Sequence, residues 1–395
     1  MKMKNNKLLF ICPSYPSIGG VETVTSLLVD FFLLHGLDVS ILVSSSDSIK
    51  GGVLDKHSVL MTVMKNEPYS KEYLNFMDDF IRDNDIACVI NQGLFSEIYL
   101  RAYLHKDVLF INTLHNFPFW ELEIFRLRSL SQLFESEKNT FNRFKVFVRF
   151  VLNHVKPGWS HPSILSFYKK QIDTVSYYIV LDPSYKIMLE KRLYGGVDQK
   201  KIVAIPNPLI LPERTFSPKK KQVIWVGRLA AVPKRADRML RIWKMIQSEV
   251  PDWELLIIGD GDQREELEKM ATDLHLINTC FMGYQKTDPY YESASILCLT
   301  SSYEGFPMVL LEAQSHGTIP VSFNCVEAIE HIIDTGKNGL IVESFNEESF
   351  AGELLKLIKD ESLQTVMRQE AREKASEFTL EKIGQRWLKL LQIEK

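Results

Sequence analysis

The feature that most constrains this chain is a cadence that occurs twice: a short apolar run, a loop holding glycine or charge, then an apolar stripe at helical spacing. It opens with KLLFIC, the loop PSYPSIGG and a helix predicted from Val21 to Leu34, closed by Gly36. VSILVSS, a helical YLNFMDDFIRDN and the strands IACVINQ, VLFINTLH and SYYIVLD continue it. After a proline-rich connection, IPNPLILPERTFSPKKK, it restarts as QVIWVG, RADRMLRIWKMIQSEV, WELLIIGDG, QREELEKMATDLHL, SILCLTSS, MVLLEAQSHG and TIPVSF. Strands joined through helices run parallel and are covered on both faces, so the chain reads as α/β with two sheets.

The expected division is a first domain over 1–205 and a second over 206–378. A last helical stretch over 379–395 (LEKIGQRWLKLLQ) is expected to return to the first domain. At 395 residues each half can bury a full core. Residues 116–170 break the cadence with an aromatic-rich basic segment, read as an insertion. The formal net charge of −3 gives no global pull toward nucleic acid, so no nucleic-acid partner is expected. Five cysteines stand singly with no metal-ligand spacing. The run Leu8 to Cys12 is short for a secretion signal, and no stretch is long and apolar enough to span a bilayer, so a cytoplasmic protein is expected.

Ligands in open parallel sheets bind beyond the carboxyl ends of the strands, which singles out four loops. Gly19 and Gly20 open a helix N-terminus to an anion, or form a tight turn that needs positive φ. In VGRLAAVPKR, Gly227 ends a strand and Arg228 and Lys234 follow six residues apart; they can hold a diphosphate, or be solvated surface cations, with Arg235 and Arg238 facing water. IIGDG lacks the third glycine of a dinucleotide fingerprint and reads as a tight strand-to-helix turn. In SSYEGFPMVLLEAQSHG, Gly305 and Phe306 offer backbone N–H groups at a helix start, while Glu304 and Glu312 can accept from sugar and ribose hydroxyls or form ordinary salt bridges. His316 reads as a helix C-terminal residue.

GGVE, GRLAAVPK, IIGDG and the E(x7)E from Glu304 to Glu312 resemble, in order and spacing, the family 4 glycosyltransferases, over most of the chain apart from 116–170. The resemblance implies a GT-B fold, two Rossmann-like parallel-sheet domains facing across a cleft, with a metal-independent retaining reaction on a nucleotide-diphosphate sugar. It implies that Arg228 and Lys234 meet the diphosphate, Glu304 serves the sugar with Gly305 and Phe306 donating beside it, Glu312 holds the ribose, and Gly20 closes over the phosphates. His115 falls where the family often has a histidine near the transferred sugar, and a core or loop histidine is the alternative. PKRADRML and SHGTIPV depart from the usual lysine-glycine and ACGTPVV patterns, which leaves helix details open. No cofactor is expected beyond the donor substrate, taken as a UDP-sugar although no motif names its base. An epimerase on the same fold and an inactive nucleotide-sugar-binding protein are the competing readings.

The acceptor reading rests on Arg126 to Lys170, which holds nine Lys or Arg against two acidic residues, a net +7. Phe144, Phe147 and Phe150 recur every three residues among Arg143, Lys145 and Arg149. This is the pattern of a helix lying in an anionic membrane surface, or of an amphipathic helix packed on the first domain. The membrane reading makes the acceptor a lipid-linked saccharide in bacterial surface polysaccharide or lipopolysaccharide assembly, with the enzyme peripheral at the inner face of the membrane.

Overall fold

The structure, a computed structural model, describes residues 3–13, 15, 19–43, 60–63, 70–92, 97–122, 162–213 and 218–392. Residues 123–161 of the basic segment therefore lie outside the described residues, and its two ends, 116–122 and 162–170, fall within them. The chain divides into two compact units. One gathers the described residues up to 122, 162–209 and 380–392, and the other spans 210–379.

The first unit is built on a seven-stranded sheet in the order β3-β2-β1-β4-β5-β6-β7. Its strands are β1 (Lys7–Cys12), β2 (Asp38–Val43), β3 (Leu60–Val63), β4 (Cys88–Gln92), β5 (Leu109–Leu114), β6 (Tyr177–Val180) and β7 (Ile202–Ala204). Every pairing is parallel. Unbroken apolar runs suit such a sheet, since both faces are covered, and Leu8 to Ile11 are wholly buried. Its helices are α1 (Gly20–Leu34), α2 (Lys71–Asp83), α3 (Pro162–Thr174) and α4 (Pro183–Arg192).

The second unit carries a six-stranded parallel sheet, β10-β9-β8-β11-β12-β13. Its strands are β8 (Lys220–Val226), β9 (Glu254–Ile258), β10 (Thr279–Gly283), β11 (Ala294–Leu299), β12 (Ile319–Phe323) and β13 (Leu340–Val342). Its helices are α5 (Ala236–Ile246), α6 (Arg264–Asp273), α7 (Asp288–Ser293), α8 (Met308–Ser315), α9 (Ile329–Ile332), α10 (Glu347–Lys359) and α11 (Glu361–Ala375). Trp225 and Trp243 anchor its core. In each sheet the strand order reverses beside the first strand, between β1 and β4 and between β8 and β11. Such a reversal splays the loops on either side and opens a crevice at the carboxyl edge.

The final helix, α12 (Leu380–Leu391), packs in the first unit against α1. Gly384 is required there, because a Cβ would lie 2.4 Å from the Phe31 ring. Trp387 meets Phe32 edge-on at 6.4 Å, and Leu380 N–H donates to Leu209 O at 2.9 Å. Each large apolar side chain buried in this way contributes roughly 1.5–3 kcal/mol. All five cysteines are free; Cys12, Cys88 and Cys298 are buried, Cys325 is partly buried and Cys280 is exposed. No helix among the described residues is long and apolar enough to cross a membrane.

Candidate functional site

At the carboxyl edge of the second sheet, backbone hydrogen bonds lock the loops after β8 and β9 together. Gly227 N–H donates to Ile258 O at 3.0 Å and Leu229 N–H to Asp260 O at 2.9 Å. A Cβ on Gly259, whose φ is +135°, would sit 1.9 Å from Gly227 O. The glycines of IIGDG thus serve close packing of two loops, as the turn reading expects. The loop after β11 is stitched to the same place: Ser302 N–H donates to Pro233 O at 2.8 Å, Thr300 Oγ1 to Arg235 O at 2.9 Å, and Trp225 Nε1 to Thr300 Oγ1 at 3.0 Å.

That stitching brings Lys234 onto Glu304. Lys234 Nζ donates to both carboxylate oxygens, at 2.8 and 3.0 Å, and Ser301 Oγ donates to Oε1 at 2.6 Å. The side chains are 23% and 9% exposed, so the pair is largely withdrawn from water and its attraction is correspondingly strong. Arg228 is placed differently. Its side chain is 75% exposed and, among the described residues, pairs with Asp262 at 3.4 Å. The two cations predicted to flank one loop therefore divide into a half-buried lysine paired with Glu304 and an outlying arginine.

The expectation that Arg235 and Arg238 face water is corrected. Arg235, at φ +55°, grips Asp237 through two 2.8 Å bonds. Arg238 is buried, lies 4.1 Å over the Phe345 ring and donates to Thr300 O at 3.2 Å; burial draws its guanidinium down to about 10. Arginine's flat group can stack on a ring while bonding a carbonyl, which a charge count does not reveal.

The two glutamates of E(x7)E are also held differently. Glu312, on α8, accepts from the buried Tyr291 hydroxyl at 2.9 Å, and burial raises its carboxyl above the usual range. Glu304 sits in the loop before α8, followed by Gly305 and by Phe306, whose ring packs 6.1 Å from Phe378. His316 closes α8, its Nδ1 2.9 Å from Glu312 O, as a helix C-terminal residue should.

At the first sheet's carboxyl edge, Gly19 caps α1 and Gly20 begins it. Gly19 has an extended φ of 179°, and a Cβ on Gly20 would meet nothing within 4 Å, so neither glycine is demanded by a positive-φ turn. His115 follows β5 and bonds Gln92 Oε1 through Nε2, at the end of β4. With the amide oxygen facing the ring, Nε2 carries the proton and Nδ1 is a buried lone pair with no partner. Burial pulls the imidazole down to about 4, so it is neutral at ordinary pH. Sequence reasoning passed over Ser301, Tyr291 and Gln92. Ser301 and Gln92 carry a visible signal, a polar residue ending an apolar strand run; Tyr291 carries none.

Residues 209–374 match the glycosyl transferases group 1 family. An uncharacterized glycosyltransferase of Haemophilus influenzae is 29% identical over 59% of this chain and 68% of its own length. The amylovoran biosynthesis glycosyltransferase AmsD of Erwinia amylovora is 33% identical over 47% of this chain and 52% of its own, so the chain spans about half of that relative. Among solved structures, Anabaena HepE in complex with UDP and glucose superposes with a TM-score of 0.74 at 15% identity, covering 98% of this chain and all of that one; at that identity the likeness speaks for the fold. The loops that pair Lys234 with Glu304 fall inside the matched residues, so the second unit resembles the group 1 glycosyl transferases, and the chain has the GT-B fold.

Proposed function

We propose that this protein moves a hexose from a UDP-sugar to a lipid-linked saccharide acceptor, with retention of configuration, in building a bacterial surface polysaccharide or lipopolysaccharide. The observation that carries the donor half of this reading is the Lys234–Glu304 pair at the β8–β11 reversal. A lysine held by one carboxylate can pass to a diphosphate, because a second anion of higher charge competes for the same donor hydrogens. Glu304, still held by Ser301, is then free to accept from hydroxyls of the transferred sugar. Lys234, with Arg228 reaching in from the exposed loop, opposes the charge that grows on the leaving diphosphate, the place where preorganised cations lower a barrier most. Glu312, protonated or ionised, can bond a ribose hydroxyl while Tyr291 holds it in place. Gly19 and Gly20 put no side chain over the N-terminus of α1, and a phosphate binds there once the Glu22 carboxylate, which lies against Gly19, swings aside; His115 serves the transferred sugar.

The relatives' names support the class of product, and the basic residues between 126 and 170 support a membrane-bound acceptor. The reading is tested by incubating the protein with a panel of nucleotide-sugars, with and without saccharide acceptors, and measuring nucleoside diphosphate released. Acceptor-stimulated release from a UDP-hexose, lost in Lys234→Ala, is expected; interconversion of the sugar without transfer would point to an epimerase instead.

A further inference from the structure

A cavity of about 740 Å³ opens at the amino edge of the second sheet, at the end of α8 opposite Glu304. Its walls belong to the second unit alone. Glu292 and the pair Ser315–His316 reach it from the turns just ahead of β11 and β12, and Leu211 to Glu213 close one side. Helix α11 supplies the rest, turning Thr365, Arg368, Gln369 and Arg372 toward it at helical spacing. A space of this size is in the range that takes a small molecule.

Arg368 and Arg372 stand one turn apart, where like charges work against each other. Arg368 Nη2 donates to two neutral oxygens, Gln364 Oε1 at 2.7 Å and Ser295 Oγ at 3.3 Å, and its Nε is buried without a partner. Among the described residues no carboxylate lies within ion-pair distance of Arg368, and its Nη1 is left to the cavity. Arg372 Nη2 donates to His316 O at 3.3 Å, beyond the last turn of α8. A lysine nearby registers the field of the pair. Lys219 Nζ donates to Tyr291 O at 2.7 Å and Thr318 Oγ1 at 2.9 Å; burial, then Arg372, then Arg368 draw its ammonium down to about 7, against the opposing pull of Glu292. Two arginines whose combined repulsion outweighs the nearest carboxylate are short of negative charge, and an anion bonded to both supplies it.

The remaining walls suit a different part of a ligand. The carboxylates of Glu213 and Glu292 repel an anion and accept from hydroxyls. The Glu373 carboxylate, also on the rim, accepts from Gln369 Nε2 at 3.3 Å. Ser315 Oγ and Thr365 Oγ1 donate to helix carbonyls and keep lone pairs for a ligand's hydroxyls. We propose that this cavity binds an anionic sugar, a hexose whose phosphate or carboxylate lies between Arg368 and Arg372 and whose hydroxyls meet Glu213 and Glu292. The site is distinct from Lys234 and Glu304, and the proposal stands without the transfer reading.

The test is titration calorimetry of glucose 6-phosphate, glucuronate, glucose and inorganic phosphate into the wild-type protein, with UDP present in excess so that these ligands do not compete for a nucleotide site. At least one anionic sugar should bind about tenfold or more tightly than glucose or phosphate alone, and the tighter of the two identifies the anionic group. Arg368→Gln should weaken that binding about tenfold or more. The exposed substitution Gln369→Glu, which sets a carboxylate on the rim without disturbing the core, should weaken it about threefold. It keeps the test sound should Arg368→Gln fold poorly. UDP affinity should be unchanged in both variants. No binding of either anionic sugar, phosphate bound as tightly as glucose 6-phosphate, loss of sugar binding when UDP is added, or wild-type affinity in Gln369→Glu and Arg368→Gln would each overturn the site.

Discussion

The two sheets end in edges of opposite character. Beyond the second sheet stand ion pairs: Lys234 with Glu304, Arg228 with Asp262, and Arg235 and Arg241 with Asp237. Beyond β4 and β5 of the first stand neutral amides, a hydroxyl and an imidazole that burial keeps uncharged. The same parallel architecture thus offers one edge suited to a polyanion and one suited to hydroxyls. The difference teaches that fold sets where a ligand goes, while the residues ending each strand decide what it is.

Removing a charge from the second edge should have the largest effect. Lys234→Ala deletes the proposed diphosphate cation and strands the Glu304 carboxylate, so kcat/KM should fall about 10²–10³-fold and stability should drop by about 3 kcal/mol in denaturant melts. Normal turnover in that variant would break the contrast between the edges. Glu304→Gln keeps a group that Ser301 and Lys234 can still bond, so the fold should survive. Its kcat should fall about 10²-fold with donor affinity nearly kept, which steady-state kinetics would show. Arg228→Ala should weaken donor binding by about tenfold and leave the melting temperature alone, because its exposed pair with Asp262 adds little.

Much of this was legible beforehand, for reasons that differ along the chain. KLLFIC is the whole of β1, because a strand buried on both faces writes itself as an unbroken apolar run. The short strands β3, β7, β10 and β13 were passed over. β7, β10 and β13 are only partly buried, and a strand of that kind leaves weak periodicity. Lys234 and Glu304 were each singled out for the donor, yet their pairing was invisible, since it depends on loops after β8 and β11 meeting across 70 residues of sequence. Arg238 was misplaced because Phe345, which covers it, lies far along the chain. Gln92 shows in the sequence as a polar residue ending an apolar run, while its register with Thr113 and its bond to His115 belong to the fold.

The smaller effects concern protons. Burial raises the Glu312 carboxyl, so the folded state holds its proton to higher pH than the unfolded chain does; ionisation of Glu312 then destabilises the fold as pH rises through that raised value. Glu312→Gln should therefore melt higher than wild type at about pH 7.5, with the gain shrinking toward about pH 4, while nucleotide affinity weakens. His115 has the opposite sign. Its imidazole is depressed from 6.5 to about 4, so the stability it contributes is full above 6.5 and is lost as pH falls from there toward 4. Replacing it with Asn should flatten that part of the melting profile.

Calorimetric titration of UDP into the wild-type protein, Lys234→Ala and Thr113→Val tests the central claim most directly. Saturable binding to wild type and to Thr113→Val, weakened at least about tenfold in Lys234→Ala, is the predicted result, because the cation that faces the nucleotide diphosphate stands at the charged edge. Equal UDP affinity in wild type and Lys234→Ala would contradict the account, since the donor would then be held somewhere other than the loops that join Lys234 to Glu304.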